Sequence, residues 1–240
     1  MCLFLSSCNK KNIMNVVLLL AGGVGKRAGA DIPKQFVRVN DIPIIVYTLK
    51  KFQESQYVDA ICVVVHENWK DELKKYIDDY GISKLKWIVD GGRTGLESVQ
   101  NGVNYLKDLS DEDILMIHDS VRPFITQKAI EDNINVAKQH GCAVTSVPCV
   151  ETLVKVDSEG MSTTQISRDG LMRVMTPQSF KLKLLRKLFF NEDVLNSPYP
   201  STFALYMSKG FPVYCSFGSE RNIKITYPED IDYLKKLFEI

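Results

Sequence analysis

Glycines and cationic residues are concentrated in one stretch near the start of the chain, "LLLAGGVGKRAGADIPKQF" at residues 18–36. An apolar run typical of a buried strand leads into Gly22 and Gly23, and Arg27 and Lys34 follow. Because glycine has no Cβ, successive backbone N–H groups at such a turn can approach an anion closely. The stretch therefore predicts an extended loop whose backbone faces phosphate groups, with Arg27 and Lys34 closing over the same anion.

Two other phosphate-binding loops are excluded by the residues around this turn. Residues 23–28 satisfy the dinucleotide pattern G-x-G-x-x-A, but that pattern requires a helix to begin at the loop. Gly29 and Pro33 disfavour such a helix. A Walker loop requires a glycine where Leu20 stands and a serine or threonine where Arg27 stands. The stretch is therefore predicted to be neither a dinucleotide fingerprint nor a Walker loop.

Strand-like and helix-like segments alternate along most of the chain. Apolar runs such as "NVVLLLA", "DAICVVVH" and "DILMIHDS" are continuous, which is typical of strands buried on both faces. Amphipathic segments such as "PIIVYTLKKFQ" and "TQKAIEDNINVAKQHG" separate them, and several end at a glycine. This alternation predicts an α/β protein, a three-layer sandwich with a mostly parallel, Rossmann-like sheet.

The pattern changes at residues 151–180, "ETLVKVDSEGMSTTQISRDGLMRVMTPQSF". This segment has no helical period and carries β-forming residues around an S-E-G turn, which predicts a projecting β-hairpin, or arm, at about residues 148–172. Two helices, a strand and a last helix are expected after it. We interpret residues 1–13 as a disordered or non-native extension and residues 14–240 as one domain, since no linker, repeat or low-complexity segment interrupts them.

The composition excludes several classes of protein. The chain has 240 residues and a formal net charge of +1, without the basic excess that nucleic-acid or membrane-surface binding requires. Its six cysteines form no C-x-x-C pair, so neither a zinc site nor a disulfide framework is expected. Cys62 and Cys142 lie in apolar runs and are predicted to be buried thiols of a cytoplasmic protein. No apolar stretch approaches the roughly 20 residues that span a bilayer.

Several blocks of the sequence together resemble one known family. "LLLAGGVGKRAGADIPKQF", "VDGGRTGLESVQNGV", "IHDSVRPFIT", "VPCVETLVKVD", "RDGLMRVMTPQSF" and "NIKITYPEDI" occur in this order from about Val16 to the C-terminus. In this order they resemble the IspD-like cytidylyltransferases. The resemblance implies a fold of the nucleotide-diphospho-sugar transferase type and a nucleotidyltransferase that joins CTP to an alditol phosphate, with release of pyrophosphate. It also implies a Mg²⁺ cofactor and a homodimer formed through the arm.

The resemblance also assigns roles to individual residues. The cations expected at the reacting phosphates are Arg27, Lys34 and Lys224. The residues expected to contact the nucleotide are Ala21, Gly22, Gly23, Gly25, Asp90, Gly92 and Ser98. The residues expected to contact the acceptor are Asp119, Arg122, Thr152, Arg168 and Thr176, and Asp119 is also the expected metal ligand. His118 is not expected to act as a general base, because the attacking phosphate is already ionised.

Two positions depart from the family pattern and leave the acceptor open. Where the family usually carries an arginine after "DGG", this chain has Gly95, and Arg93 stands nearby instead. Ser201 takes a position that is normally acidic, and a hydroxyl is a poorer Mg²⁺ ligand than a carboxylate. "RDGLMRVMTPQSF" favours 2-C-methyl-D-erythritol 4-phosphate as acceptor, for isoprenoid biosynthesis. The alternatives are ribitol 5-phosphate or another alditol phosphate or phosphonate, for cell-surface polymers, and a nucleotide-binding homologue without turnover.

Overall fold

The computed structural model describes residues 12–23 and 32–238. Its strands are β1 (Asn15–Ala21), β2 (Arg38–Val39), β3 (Ile42–Pro43), β4 (Ala60–Val65), β5 (Leu85–Asp90), β6 (Ile114–Asp119), β7 (Cys142–Pro148), β8 (Leu153–Lys155), β9 (Thr164–Ile166), β10 (Met172–Lys181) and β11 (Cys215–Phe217). Its helices are α1 (Ile44–Gln53), α2 (Lys70–Tyr80), α3 (Gly95–Tyr105), α4 (Gln127–His140), α5 (Leu182–Phe189), α6 (Thr202–Ser208) and α7 (Pro228–Phe238). The predictions for residues 1–11, Gly25 and Arg27 lie outside the described residues. Within the described part, no helix has the length and apolar character needed to cross a membrane.

A seven-stranded sheet in the order β11-β7-β10-β6-β1-β4-β5 forms the middle layer of the protein. Adjacent strands are parallel except where β10 pairs antiparallel with β6 and β7. Helices pack on both faces of the sheet. The predicted α/β sandwich with a mostly parallel sheet is confirmed.

Alternate residues of β1 pack into two separate cores. Val17 and Leu19 lie in a cluster with residues of α1 and α2, whereas Val16 and Leu18 lie in a cluster with residues of α3 and α5. All four side chains are fully buried. The first strand is therefore covered on both faces, as its continuous apolar run predicted.

Two cysteines belong to this interior. Cys62 and Cys142 are buried and free, as the sequence predicted. Burial raises the pKa of the Cys62 thiol to about 12, which keeps it protonated at neutral pH.

The exposed hairpin is formed by β8 and β9. β8 and β9 pair antiparallel, and all their residues are exposed. Residues 172–181, which follow the predicted arm, form β10 in the middle of the sheet. Met175 to Phe180 are buried between β6 and β7. That burial comes from pairing with β6 and β7, so it could not be read from the local pattern of residues 172–181 alone.

Four neighbouring strands end at the same edge of the sheet. β1, β4 and β5 are in register at Ala21, Val65 and Asp90, and Asp119 at the end of β6 pairs with Leu20. The carboxyl edge of an open parallel sheet is where ligands of α/β folds bind. The glycine turn after β1 and the polar residues after β5 and β6 are therefore brought together there.

Candidate active site

A cleft of about 860 Å³ lies at the carboxyl edge of the sheet. Its lining comes from the ends of β1, β4, β5 and β6 and from the segments before α1, α6 and α7. The lining residues are Leu20, Ala21, Gly22, Gly23, Lys34, Gln35, His66, Gly91, Gly92, Arg93, Thr94, Gly95, Ser98, Asp119, Ser120, Val121, Pro200, Lys224 and Thr226. Eight of the predicted site residues are among them: Ala21, Gly22, Gly23, Lys34, Gly92, Ser98, Asp119 and Lys224.

Gln35 holds the first glycine turn. Its Nε2 donates to the carbonyl oxygen of Ala21 at 2.6 Å and to that of Gly23 at 2.9 Å, and its side chain is buried. No described residue accepts a hydrogen bond from the N–H groups of Gly22 and Gly23. These two N–H groups can therefore bind oxygen atoms of a ligand in the cleft.

The glycine turns after β1 and β5 touch each other. A Cβ on Gly91 would lie 3.2 Å from the Cα of Gly22, and a Cβ on Gly22 would lie 3.3 Å from Ser98 Oγ. The buried Ser98 hydroxyl accepts from the N–H of Gly92 at 3.0 Å and donates to the carbonyl oxygen of Thr94 at 2.9 Å. Ser98 therefore shapes the second turn through bonds made within the turn itself.

Helix α3 begins beside this second turn. Thr94 is its N-cap, and Thr94 Oγ1 accepts from the N–H of Glu97 at 3.0 Å. The Glu97 carboxylate accepts from the N–H of Arg93 and lies 3.7 Å from the Arg93 guanidinium. The side chain of Arg93 is 75% exposed, and a Cβ on Gly95 would meet no atom within 4 Å. The space next to Gly95, where the family usually has an arginine side chain, is therefore empty of described atoms. Arg93 lines the same cleft.

Asp119 bridges two cations at the end of β6. Its Oδ1 lies 3.0 Å from Lys224 Nζ, and its Oδ2 lies 3.0 Å from Arg122 Nε. Burial alone would raise the pKa of Asp119, but the positive charges of Lys224 and Arg122 outweigh it and lower the pKa below its ordinary value. The carboxylate is therefore ionised at neutral pH and holds both cations in place.

Thr176 and Asn222 extend this network. Thr176 Oγ1 accepts from the N–H of Asp119 at 3.2 Å, and Asn222 Nδ2 donates to the carbonyl oxygen of Thr176 at 2.8 Å. Arg122 in turn donates to the carbonyl oxygen of Asn222 at 2.8 Å. The segment before α7 is thus bonded to both β6 and β10 at the floor of the site.

Lys34 also binds the segment before α7. Its Nζ donates to the carbonyl oxygen of Ile225 at 2.7 Å, although the two residues are 191 positions apart. Ile225 directly follows Lys224, so the two predicted catalytic lysines lie at one end of the cleft. Both lysines therefore line the same cleft as Gly22 and Gly23.

His118 takes no part in the cleft. The ring is fully buried, stacks edge-on against Phe52 at 5.0 Å, and its Nε2 lies 3.2 Å from the carbonyl oxygen of Arg122. Because a carbonyl only accepts, Nε2 carries the proton and donates. Burial lowers the pKa of His118 to about 4, so the ring is neutral at pH 7. Its position agrees with the expectation that His118 is not a general base.

Comparison with known proteins identifies the family. The family model described as IspD: 2-C-methyl-D-erythritol 4-phosphate cytidylyltransferase matches residues 15–238. The chain belongs to the IspD family. It is 37% identical over 228 residues to a ribitol-5-phosphate cytidylyltransferase of Lacticaseibacillus paracasei, covering 92% of this chain and 97% of the relative. It is 36% identical over 229 residues to a 2-C-methyl-D-erythritol 4-phosphate cytidylyltransferase of Clostridium novyi, covering 94% and 96%.

A solved structure agrees with the fold. The crystal structure of 4-diphosphocytidyl-2C-methyl-D-erythritol synthase from Anaerococcus prevotii superposes with a TM-score of 0.80, covering 95% of this chain and 97% of that chain. The two sequences are 23% identical, so this likeness concerns the fold. The resemblance read from the sequence blocks is confirmed.

Three residues that the IspD pattern assigns to the site lie elsewhere in this single chain. The Asp90 carboxylate is 64% exposed and forms an ion pair with Lys70 at 2.6 Å. Thr152 and Arg168 lie at the base of the hairpin, where Arg168 donates to the carbonyl oxygen of Val150. Neither Thr152 nor Arg168 lines the cleft. Their predicted contact with the acceptor is not made within one copy of the chain.

The metal ligands of an IspD enzyme are incomplete in the described residues. No group of three or more His, Cys, Asp or Glu side chains there could hold a metal ion. Both oxygens of Asp119 already accept from cations. Ser201, at the acidic position of the pattern, has a buried hydroxyl with no partner in the described part of the chain. The described protein groups therefore do not build a Mg²⁺ site by themselves.

Sequence reasoning missed two residues that organise the IspD site. Gln35 lies inside the recognised block "PKQF", and Asn222 begins the block "NIKIT". Both side chains are buried and donate to backbone carbonyl groups, Gln35 to Ala21 at 14 positions and Asn222 to Thr176 at 46 positions along the chain. Each stands in a recognised block next to one apolar residue, Phe36 or Ile223, but its hydrogen-bond partners were not visible without the fold.

Proposed function

We propose that this protein transfers CMP from CTP to an alditol phosphate, giving a CDP-alditol and pyrophosphate. The observation that supports this most directly is that Gly22, Gly23, Lys34 and Lys224 meet at one cleft. Free N–H groups and ammonium groups are the partners that a triphosphate requires. Membership of the IspD family supports cytidine as the nucleoside.

The reaction asks the protein for alignment and charge neutralisation. An oxygen of the acceptor phosphate attacks the α-phosphorus of CTP, the bond from that phosphorus to the β-phosphate oxygen breaks, and pyrophosphate leaves with the electron pair. Lys34 and Lys224 neutralise the charge that develops on the phosphate oxygens. Lys224 keeps its position because Asp119 holds its ammonium at 3.0 Å. The acceptor phosphate is ionised at neutral pH, so no protein base is needed.

The turn at Gly91 and Gly92 is proposed to read the cytosine. Both glycines line the cleft and present backbone without side chains. A buried backbone donor or acceptor discriminates between cytosine and uracil, because the wrong base leaves it unpaired. Ser98 supports this reading by holding the turn through the N–H of Gly92.

The acceptor that we propose is 2-C-methyl-D-erythritol 4-phosphate, with ribitol 5-phosphate as the second candidate. The block "RDGLMRVMTPQSF" supports the first. The second is supported by the relative from Lacticaseibacillus paracasei, whose name specifies ribitol 5-phosphate. Both acceptors present a phosphate and several hydroxyl groups to the network of Asp119, Arg122 and Thr176.

Mg²⁺ is proposed to enter with the nucleotide. Mg²⁺ keeps several waters and binds through one or two carboxylates together with substrate phosphates. Among the described residues, Asp119 is the carboxylate that lines the cleft, so we propose it as the protein ligand. When bound, the ion would supply charge neutralisation at the triphosphate.

The hairpin is proposed to pack against a second copy of the chain. Exposed apolar side chains lie along and beside it: Val150, Leu153, Val154, Val156, Met161, Ile166 and Met172. Exposed apolar surface of this kind favours a protein interface. A second copy would also bring Thr152 and Arg168 to the acceptor end of the partner's cleft, which is incomplete within one chain.

Pyrophosphate release with CTP, Mg²⁺ and a panel of alditol phosphates tests the proposed reaction. Release with 2-C-methyl-D-erythritol 4-phosphate or ribitol 5-phosphate is expected, and the larger kcat/KM identifies the acceptor. CTP binding without release for any acceptor would instead indicate a nucleotide-binding homologue without turnover. Sedimentation of Val154→Asp tests the dimer, with Tyr105→Asp as control because both residues are just over half exposed. A wild-type monomer at working concentration contradicts the shared site.

A further inference from the structure

The side chain of Gln35 uses both hydrogens of its amide at the first glycine turn. Nε2 donates to the carbonyl oxygens of Ala21 and Gly23 at 2.6 and 2.9 Å. Gln35 is 3% exposed and lines the cleft. A polar side chain that is buried in this way is costly unless it is paired, so the two bonds are required by its position.

These bonds determine which way the peptide groups of the turn face. In a planar trans peptide, the C=O of one residue and the N–H of the next point in opposite directions. Because Gln35 binds the carbonyl oxygen of Ala21, the N–H of Gly22 points away from Gln35. No described residue accepts from that N–H. The carbonyl bond at Gly23 also prevents this end of the turn from rotating.

The same bonds change the electrostatics of the cleft. Carbonyl oxygens carry partial negative charge and would repel a triphosphate, whereas N–H groups attract it. Gln35 binds two carbonyl oxygens of the turn, and the N–H groups of Gly22 and Gly23 stay unpaired within the described chain. The turn is thereby preorganised for an anion before any ligand arrives.

The neighbours of Gln35 fix the position of its backbone. Residues 34–36 form one 3-10 turn. Phe36 is fully buried and stacks on Trp69 with ring centroids 4.4 Å apart, and Lys34 Nζ binds the carbonyl oxygen of Ile225. Three consecutive side chains thus contact three parts of the protein. Phe36 packs on Trp69 at the start of α2, Gln35 binds the glycine turn, and Lys34 binds the segment that carries Lys224.

We propose that Gln35 is a positioning residue for the nucleotide phosphates, which holds the Ala21–Gly22 peptide so that the N–H of Gly22 faces the triphosphate and fixes the carbonyl group of Gly23 away from it. This inference rests on the proposed function and deepens it. It assigns to Gln35 no contact with the reacting atoms, only the orientation of the backbone that binds the phosphates.

The test compares Gln35→Met with wild type in CTP binding by isothermal titration calorimetry. Methionine keeps the length and the buried apolar volume but removes both donors. Losing the two bonds is expected to raise the Kd for CTP about tenfold or more, while the KM for the acceptor at saturating CTP stays within about threefold. Gln127→Met is the matched control, because it removes one bond from Gln127 Nε2 to the carbonyl oxygen of Lys51 at 2.9 Å, away from the cleft.

The possible outcomes separate this inference from the proposed function. Wild type that binds no CTP overturns both. Wild type that binds CTP and releases pyrophosphate, with Gln35→Met binding CTP within about threefold, overturns the role of Gln35 alone. Gln35→Asn keeps the amide on a shorter chain and is expected to lose CTP affinity in the same way. Loss of the folded transition in both variants contradicts the inference, since it would assign Gln35 to folding.

Discussion

The ammonium of Lys224 lies 3.0 Å from Oδ1 of Asp119, although 105 positions separate the two residues in the chain. Asp119 ends β6, and Lys224 lies in the irregular segment before α7. The other carboxylate oxygen holds Arg122, which in turn binds the carbonyl oxygen of Asn222. One carboxylate thus anchors the segment that carries Lys224 at the cleft.

Lys224→Met is expected to lower turnover about 100-fold, because it removes a cation from the reacting phosphates. Pyrophosphate release at saturating CTP measures this. Lys209→Met is the matched control: each lysine is 44% exposed and pairs with one carboxylate, Lys224 with Asp119 and Lys209 with Glu192. Equal rates for the two variants would remove Lys224 from the reaction.

Asp119→Asn is expected to destabilise the fold by about 3 kcal/mol at pH 7, because it leaves two cations without their buried partner. The folded-state pKa of Asp119 is lowered. The stability from its ionised form is therefore present above the unfolded-state pKa of about 3.9 and is lost as pH falls through the folded-state pKa. Urea unfolding of the variant and of wild type should give free energies of unfolding that differ at pH 7 and differ less in acid. Asp232→Asn, which removes an exposed pair with Lys235, should show little difference at either pH.

His118→Gln is expected to leave the shape of the kcat–pH profile unchanged between about pH 6 and pH 8, because the ring is buried and neutral there. Its effect should appear in stability. The pKa of His118 is about 4 in the folded state and 6.5 as its ordinary value. As the pH falls from 6.5 to 4, the unfolded chain therefore binds a proton at this residue and the folded chain does not, which lowers the stability of the fold. Wild type should lose about 3 kcal/mol over that range from this group.

Removing the ring should abolish that part of the pH dependence, as measured by urea unfolding from pH 7 to pH 4. His140→Gln is the control, since His140 is exposed and stacks on Tyr214. An acid limb in kcat that disappears in His118→Gln would instead assign His118 a role in proton transfer.

Gly92→Ala and Gly95→Ala form a matched pair on the lining of the cleft. A Cβ on Gly92 would lie 2.5 Å from Glu97 Cβ and Cγ and 2.9 Å from its carbonyl carbon, whereas a Cβ on Gly95 meets nothing within 4 Å. Gly92→Ala must displace the first turn of α3 and is expected to weaken CTP binding about tenfold. Gly95→Ala is expected to stay within about threefold of wild type. Similar CTP affinities for the two variants would argue against a nucleotide contact at this turn.

Much of the fold was readable from the sequence because it is encoded locally. The continuous apolar run of β1 predicts a strand covered on both faces, and the glycines after α2 and α4 mark their ends, with φ of 64° at Gly81 and 91° at Gly141. Strand and helix periods depend on neighbours within a few residues. The order of the family blocks likewise identified the family without any coordinates.

The site itself was only partly readable. Gly22, Gly23, Lys34 and Lys224 were predicted and do line one cleft. The roles of Gln35 and Asn222 were not predicted, since each depends on how the chain folds to bring a backbone carbonyl group within hydrogen-bond distance. The burial of β10 was not predicted either, because it is imposed by β6 and β7.

The sequence by itself determined the α/β architecture and the family, and it predicted Gly22, Gly23, Lys34 and Lys224, which line one cleft. Tertiary structure alone decided that Asp119 is occupied by Lys224 and Arg122, and that Gln35 orients the glycine turn. It also placed Thr152 and Arg168 outside the cleft of their own chain. Local propensities select helices, strands and turns, whereas the pairing of charges and carbonyl groups depends on which strands become neighbours in the sheet.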